Sequence, residues 1–219
     1  MQNVKELLNL CQNIAGITIK ELADLINVPC PQSLNTNKGW IGQLLEQYLG
    51  ATGGNLPIAD FPELGIELKT VPINPKTLCP LESTYICTAS LYASRISWEQ
   101  SVVKLKLSKV LWIPIESSLN LSLADRRIGK AFLWQPNQQQ AIILEKDWRE
   151  LTEMLQLGNI KMLSAKYGQY LQIRPKAANC RNNLVDYLTN EGEIVKTVNR
   201  GFYLRANFTK KIFFESFNI

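Results

Sequence analysis

The segment Val110-Leu111-Trp112-Ile113-Pro114-Ile115 restricts this chain more than any other. Six apolar residues in a row are too few for a membrane span and show no polar face. A strand of this kind is covered on both sides, as a central strand is. The chain must therefore supply layers for both faces of a sheet, and its remaining periodicities supply them. Val4, Leu7, Leu8, Cys11 and Ile14 recur at helical spacing. A second helix begins at Thr18, where Thr18 and Glu21 form a capping box, and it ends near Asn27, before Pro31. A third covers about Gly39 to Leu49, with an apolar face of Trp40, Ile41, Leu44, Leu45, Tyr48 and Leu49.

Beyond Gly65 the period changes to two. Ile66, Leu68 and Thr70 alternate with Glu67, Lys69 and Val71 until Pro72 ends or edges the strand. Thr84–Thr88 reads as another strand, Trp98–Leu107 as a helix, and Asp147–Leu157 as a helix closed by Gly158. Tyr170–Ile173 is a strand leading into Arg174-Pro175-Lys176. A helix is expected near Asn183–Leu188, a short strand or turn at Phe202–Leu204, and a last helix capped by Thr209. Helix and strand are mixed along the chain, so the class is α/β or α+β. The five tryptophans, Trp40, Trp98, Trp112, Trp134 and Trp148, are read as core.

The chain contains no histidine, which removes the Ser-His-Asp triad, the Cys-His pair and every His-ligated metal site. Acid–base chemistry falls to carboxylates, lysine, tyrosine, cysteine or a metal ion. With 46% hydrophobic and 20% charged residues, the 219-residue chain can bury a proper core. Met1 is followed by a polar, mixed-charge stretch without an apolar signal core, so a cytoplasmic location is expected. The five cysteines include no CxxC pair and are read as reduced thiols. Residues 1–160 carry 14 basic and 15 acidic side chains, whereas residues 161–219 carry 10 basic and 4 acidic. The excess positive charge thus lies in the last quarter, as fits a surface that binds a polyanion.

Chemistry concentrates at Asp60-Phe61-Pro62-Glu63-Leu64-Gly65-Ile66-Glu67-Leu68-Lys69. On a strand, Glu67 and Lys69 project from one face, and Asp60 enters from the preceding turn. Carboxylate oxygens suit Mg²⁺, and a nearby lysine can orient an attacking water or neutralise a developing oxyanion. Glu46 lies near the C-terminal end of a helix, where a carboxylate opposes the helix dipole, and is placed by sequence to join this site. The alternative is a solvated strand face carrying an ordinary ion pair. Against it, Glu67-Leu68-Lys69 is the only Glu-x-Lys in the chain, and glycine-rich loops lie around it. Arg174-Pro175-Lys176 could read guanine edges from a rigid loop, or be a cationic turn. Arg200-Gly201-Phe202-Tyr203 is either turn and core or a loop that touches bases.

Longer blocks carry a resemblance. Lys38-Gly39-Trp40-Ile41-Gly42 with Leu44-Leu45-Glu46, Gly65–Thr70, Val110–Pro114, Tyr170–Asn179 and Arg200–Leu204 are together similar to the MutH family of methyl-directed mismatch-repair endonucleases. More distantly the chain resembles restriction enzymes that cut GATC. The resemblance runs nearly end to end. It implies a restriction-endonuclease-like α/β fold, with a mixed sheet flanked by helices and two arms forming a DNA-binding cleft. One catalytic domain over 1–219 is expected, with arms of about 1–100 and 101–219.

The resemblance also implies Mg²⁺-dependent nicking of the unmethylated strand at hemimethylated GATC, 5′ to the G. Mn²⁺ would substitute and Ca²⁺ would be non-productive. By position, Asp60 and Glu67 are expected to be metal ligands, Lys69 the catalytic lysine and Glu46 a further member of the acidic site. Lys38 and Lys106 are expected at DNA, Arg174, Pro175 and Lys176 on the sequence-reading loop, and Tyr203 at the position that senses adenine methylation. Tyr85 occupies the place of a family aromatic, here Tyr in place of Phe. The segment Asn74–Pro80 and the charges around Val102–Ser108 depart from the family pattern. Implied partners are double-stranded DNA, MutL as activator and, through it, MutS; no membrane is involved and the chain acts as a monomer. Two further readings remain: a DNA-binding protein of this fold without activity, and a GATC restriction enzyme that breaks both strands.

Overall fold

The computed structural model describes residues 3–33, 39–54, 56–89, 96–118, 120–159, 163, 166–176, 184–189 and 191–218. The chain divides into two units, each assembled from separate segments. Unit 1 comprises residues 1–82, 108–135 and 210–219, and unit 2 comprises 83–107 and 136–209. The boundary expected near residue 100 falls inside the first segment of unit 2.

Unit 1 begins with three helices, α1 (Val4–Asn13), α2 (Ile19–Leu25) and α3 (Trp40–Leu49). The Asn3 side chain caps α1, and the Thr18/Glu21 capping box that opens α2 is complete in both directions. The Glu21 carboxylate accepts from the Thr18 N–H and from the Thr18 hydroxyl, and these two bonds hold it below its usual range, the amide contributing most. Helix α3 is closed by Gly50, whose φ of 73° is the left-handed conformation that glycine adopts without strain.

The sheet of unit 1 has the order β1-β3-β4, from β1 (Glu67–Ile73), β3 (Val110–Glu116) and β4 (Phe132–Trp134). Strand β3 lies in the middle, parallel to β1 and antiparallel to β4. Its residues Val110 to Ile115 are all buried, as a strand without a polar face requires. Strand β1 is an edge strand and runs through Pro72, where an edge position tolerates the missing N–H. One side of this unit is closed by Leu7, Ile14, Leu22, Leu45 and Leu49 packed with Ile66, Leu68, Leu111 and Ile113. Each such fully buried aliphatic side chain is worth about 1.5–3 kcal/mol against exposure. Trp112, Trp134, Phe132, Phe213 and Phe217 form an edge-to-face aromatic cluster.

Unit 2 holds an antiparallel sheet of order β2-β8-β5, from β2 (Thr84–Ala89), β5 (Leu171–Pro175) and β8 (Arg200–Leu204). A hairpin of β6 (Leu184–Leu188) and β7 (Ile194–Val198) accompanies it. The helices are α4 (Val102–Leu107) and α5 (Gln138–Gln156), while α6 (Ala206–Phe217) begins in unit 2 and ends in unit 1.

Four expectations are corrected. The helix expected over Trp98–Leu107 is a 3-10 turn, Trp98–Gln100, followed by α4, because Ser101 is extended and its hydroxyl accepts the Lys104 N–H. Helix α5 starts well before Asp147, since Asn137 and Gln140 form a capping box at its true N-terminus. The helix expected near Asn183–Leu188 is strand β6, paired with β7 along its length. Thr209 does not cap α6 but lies buried inside it, its hydroxyl donating to the Arg205 carbonyl. The α/β class holds: among the described residues the strands form three small sheets, of which β1-β3-β4 is mixed and the other two are antiparallel.

Candidate active site

The acidic site lies within unit 1, at the entry to β1. Before that strand, Phe61 pairs with Ile66 across the 3-10 turn Pro62–Leu64, which Gly65 closes at a φ of 62°. This tight loop turns Asp60 back onto β1, where its Oδ2 accepts the Leu68 N–H at 2.8 Å. The carbonyl of the same residue accepts the N–H groups of Thr52 and Gly53, at 2.9 and 3.0 Å. Gly53 leaves room for this approach, since a Cβ there would stand 2.8 Å from the Asp60 Cα. Asp60 is thus tied on one side to the loop after α3 and on the other to β1.

Glu67 and Lys69 project from one face of β1, and Lys69 Nζ lies 2.5 Å from Glu67 Oε1. Both are sheltered, with Glu67 1% exposed and the Lys69 side chain 14%. The solvated strand face that sequence left open is therefore not what forms. Burial of an ion pair costs several kcal/mol of desolvation and is weak evidence of a purely stabilising role. Glu46 sits in the last turn of α3, half-buried, and α3 packs on β1. Its carboxylate folds back along its own helix, with Oε1 4.0 Å from where a Gly42 Cβ would stand. Among the described residues, no three acidic or thiol side chains form a ready-made metal cage. Two hard-oxygen carboxylates at one turn nevertheless fit Mg²⁺, which keeps much of its water and needs only one or two protein carboxylates.

The remaining candidates that the structure describes lie in unit 2. Tyr85 on β2 is directly opposite Tyr203 on β8, their rings meeting edge-on at 5.3 Å. Arg174 on β5 faces Gly201, and its guanidinium carbon lies 5.9 Å from the Tyr203 ring centroid. Lys176 Nζ lies 4.9 Å from the Tyr85 ring centroid. Tyr85, Tyr203, Arg174 and Lys176 thus meet on one face of the β2-β8-β5 sheet, with Pro175 ending β5 between the two cations. On the other face Leu171, Ile173, Phe202 and Leu204 are buried. Arg200, opposite Pro175, has its guanidinium pushed below the usual arginine value by burial. Lys106 lies half-buried on α4 in unit 2, apart in sequence and element from this face, and Lys38 lies outside the described residues.

Two contributors were not visible in the sequence. Thr88 joins the face of Tyr85, with its Oγ1 3.0 Å from the Tyr85 hydroxyl and 3.1 Å from Lys176 Nζ. Asp147, buried on α5, accepts the N–H groups of Gln169, Tyr170 and Leu171 on one oxygen, at 2.9, 2.5 and 2.9 Å, and so fixes the start of β5. Sequence carried no sign of either, since one depends on a strand irregularity and the other on a contact between residues more than 20 apart.

Known proteins bear on this arrangement. A family described as DNA mismatch repair enzyme MutH matches residues 49–147, which include Asp60, Glu67, Lys69 and Tyr85. A protein of Shewanella amazonensis named DNA mismatch repair protein MutH is 46% identical over 218 residues, covering 99% of this chain and 96% of its own. Proteins of the same name from Pectobacterium atrosepticum and Escherichia coli K12 are 46% and 44% identical, covering 95% and 98% of this chain and 90% and 93% of theirs. Identity at this level over almost the whole length leaves one assignment: the chain belongs to the MutH family of DNA mismatch-repair enzymes.

Proposed function

We propose that this chain is a Mg²⁺-dependent DNA endonuclease that nicks the unmethylated strand at hemimethylated GATC sites during mismatch repair. The observation that carries the chemistry is the sheltered Glu67–Lys69 pair on β1 with Asp60 pinned beside it at the Leu68 amide. Asp60 and Glu67 would hold the divalent ion. When bound, such an ion lowers the pKa of water and offsets charge building on the phosphate. Lys69, held beside Glu67, is placed to orient the attacking water or to donate to the phosphate oxygen as its charge grows. Glu46 completes the acidic side, and Lys38 and Lys106 serve the DNA backbone. Arg174, Lys176 and Tyr203 read the site, which their meeting on one exposed sheet face supports. MutL is the activating partner, reached in turn through MutS, and the protein works as a monomer in the cytoplasm. No helix among the described residues is long and apolar enough to cross a membrane.

The test is cleavage of unmethylated, hemimethylated and fully methylated plasmids by the purified protein with Mg²⁺. Nicking of the first two and sparing of the third is the expected result. Binding without cleavage favours an inactive DNA-binding protein, and prompt linearisation favours a restriction enzyme.

A further inference from the structure

Thr88 lies three residues beyond Tyr85 on β2, and in a regular strand the two side chains would point to opposite faces. They do not, because the register shifts between them. Tyr85 pairs with Tyr203, Cys87 with Phe202, and Thr88 with Gly201. One extra residue on β2 is the signature of a β-bulge, a device that re-aims a side chain. Here it moves Thr88 onto the face that carries Tyr85, Tyr203, Arg174 and Lys176.

The chemistry of the contacts is directional. Lys176 can only donate, so its ammonium gives a hydrogen to Thr88 Oγ1 at 3.1 Å. Between Thr88 and Tyr85, 3.0 Å apart, one hydroxyl donates and the other accepts. In either direction one O–H is left over, polarised by the ammonium next to it. The Tyr85 ring lies against the backbone of Gly201, where a Cβ would come within 2.7 Å of its Cε2. Thr88 therefore joins the ammonium of Lys176, the residue after β5, and the hydroxyl of Tyr85 on β2 into one donor set. None of these roles is visible in the acidic site, which lies in the other unit.

We infer that Thr88 is a positioning residue for sequence recognition, one that holds Lys176 and Tyr85 in the geometry that takes a hydrogen-bond-acceptor edge of DNA. The inference rests on the proposed GATC-directed activity, and it concerns a side chain that touches the readers and not the reacting phosphate. Preorganisation of this kind raises the difference between right and wrong sites more than it raises affinity for DNA in general.

The experiment compares wild type with Thr88→Ser, Thr88→Val, Tyr85→Phe and the Thr88→Val/Tyr85→Phe double variant. The first readout is the ratio of nicking kcat/KM on GATC to that on single-mismatch sites, with binding to a non-specific duplex measured alongside. Thr88→Val is expected to lower the ratio about tenfold and to leave non-specific binding unchanged. Thr88→Ser restores the ratio, and the double variant is no worse than the poorer single one. A ratio unchanged in Thr88→Val, an equal loss on all sequences, or failure of serine to restore it overturns the inference. The second readout needs no DNA: acetylation of Lys176 by an amine-directed reagent, followed by mass spectrometry. Thr88→Val is expected to raise that rate a fewfold, and no change overturns the inference. A wild-type protein without preference for GATC would instead defeat the proposed function, while Lys176 acetylation still judges Thr88.

Discussion

Lys69 Nζ lies 2.5 Å from Oε1 of Glu67, and the glutamate is 1% exposed. An ammonium there lowers the cost of gathering carboxylates and is ready for charge that builds on a phosphate. Lys69→Ala is expected to keep DNA binding while kcat for nicking falls by at least ~10²–10³, the usual loss for one well-placed electrostatic donor. Stability should drop by about 3–5 kcal/mol, because a buried carboxylate loses its ammonium. Saturating Mg²⁺ should restore part of that loss. Denaturant melts with and without the ion check this, and equal melts would remove the ion from Glu67.

Asp60 does two jobs that substitution can separate. Its Oδ2 accepts the Leu68 N–H, and its charge is needed for a cation. Asp60→Asn keeps an acceptor oxygen for that amide but loses the charge, so its melting curve should stay close to wild type while nicking is abolished. Asp60→Ala should lose nicking and also about 1.5–3 kcal/mol of stability, since the Leu68 amide is orphaned in a buried turn. Undiminished cleavage by the asparagine variant would defeat the assignment of this site.

The acidic site was legible because its geometry is local. Alternation places Glu67 with Lys69, and a short turn returns Asp60 to them, so a window of ten residues contains the arrangement. Burial of the pair was not legible, because it depends on residues outside that window that cover the face of β1 opposite Leu68. Arg174, Lys176 and Tyr203 were each legible as candidates but their meeting was not, since it needs strands from residues 84–89, 171–175 and 200–204 in one sheet. The helix expected at Asn183–Leu188 failed for the same reason. Leu184-Val185-Asp186-Tyr187-Leu188 has no decisive period, and pairing with Ile194–Val198 decides for strand.

Asp147 should matter to recognition although it touches no reader. Three backbone N–H groups at the start of β5 converge on its Oδ2, and Gly168 gives the chain the φ of 75° that lets them do so. Asp147→Ala leaves these donors unpaired, at about 1–3 kcal/mol for each one that stays buried. Hydrogen exchange should show lost protection at Tyr170 and Leu171, and discrimination between sites should fall with it. Unchanged protection would mean that β5 is anchored by its partner strand alone.

Cys11 sets a pH dependence with a definite sign. Burial in the core of unit 1 pushes its thiol from an ordinary value of 9.0 up to about 12. The unfolded chain gives up this proton first as pH rises, so stability falls with pH above about 9 and is unaffected below. Cys30 shifts the same way, also through burial. At pH 8 only about one Cys11 in ten thousand is a thiolate, so an alkylating agent should spare it in the folded protein and modify it in denaturant. Cys11→Ala should flatten the alkaline limb of the stability curve, and an unchanged limb would place its origin elsewhere.

Arg174 is exposed at the end of β5, over the Tyr203 ring, and could serve either a base or a phosphate. The two roles differ in what they leave behind. A bidentate contact to guanine contributes about 1–3 kcal/mol of discrimination at one position, and its loss does not alter the number of counterions released elsewhere on the backbone. A phosphate contact weakens binding to every sequence and lowers the salt slope by about one. The position of the guanidinium over an aromatic ring that itself meets Tyr85 favours base reading, since a cation held near a ring has fewer directions open to its donors. Arg174→Ala is therefore expected to relax preference at one base pair of GATC with little change in binding to random DNA. Titrating cognate and random duplexes at several salt concentrations separates the outcomes. Parallel weakening of both duplexes with a reduced slope would assign Arg174 to the phosphate track.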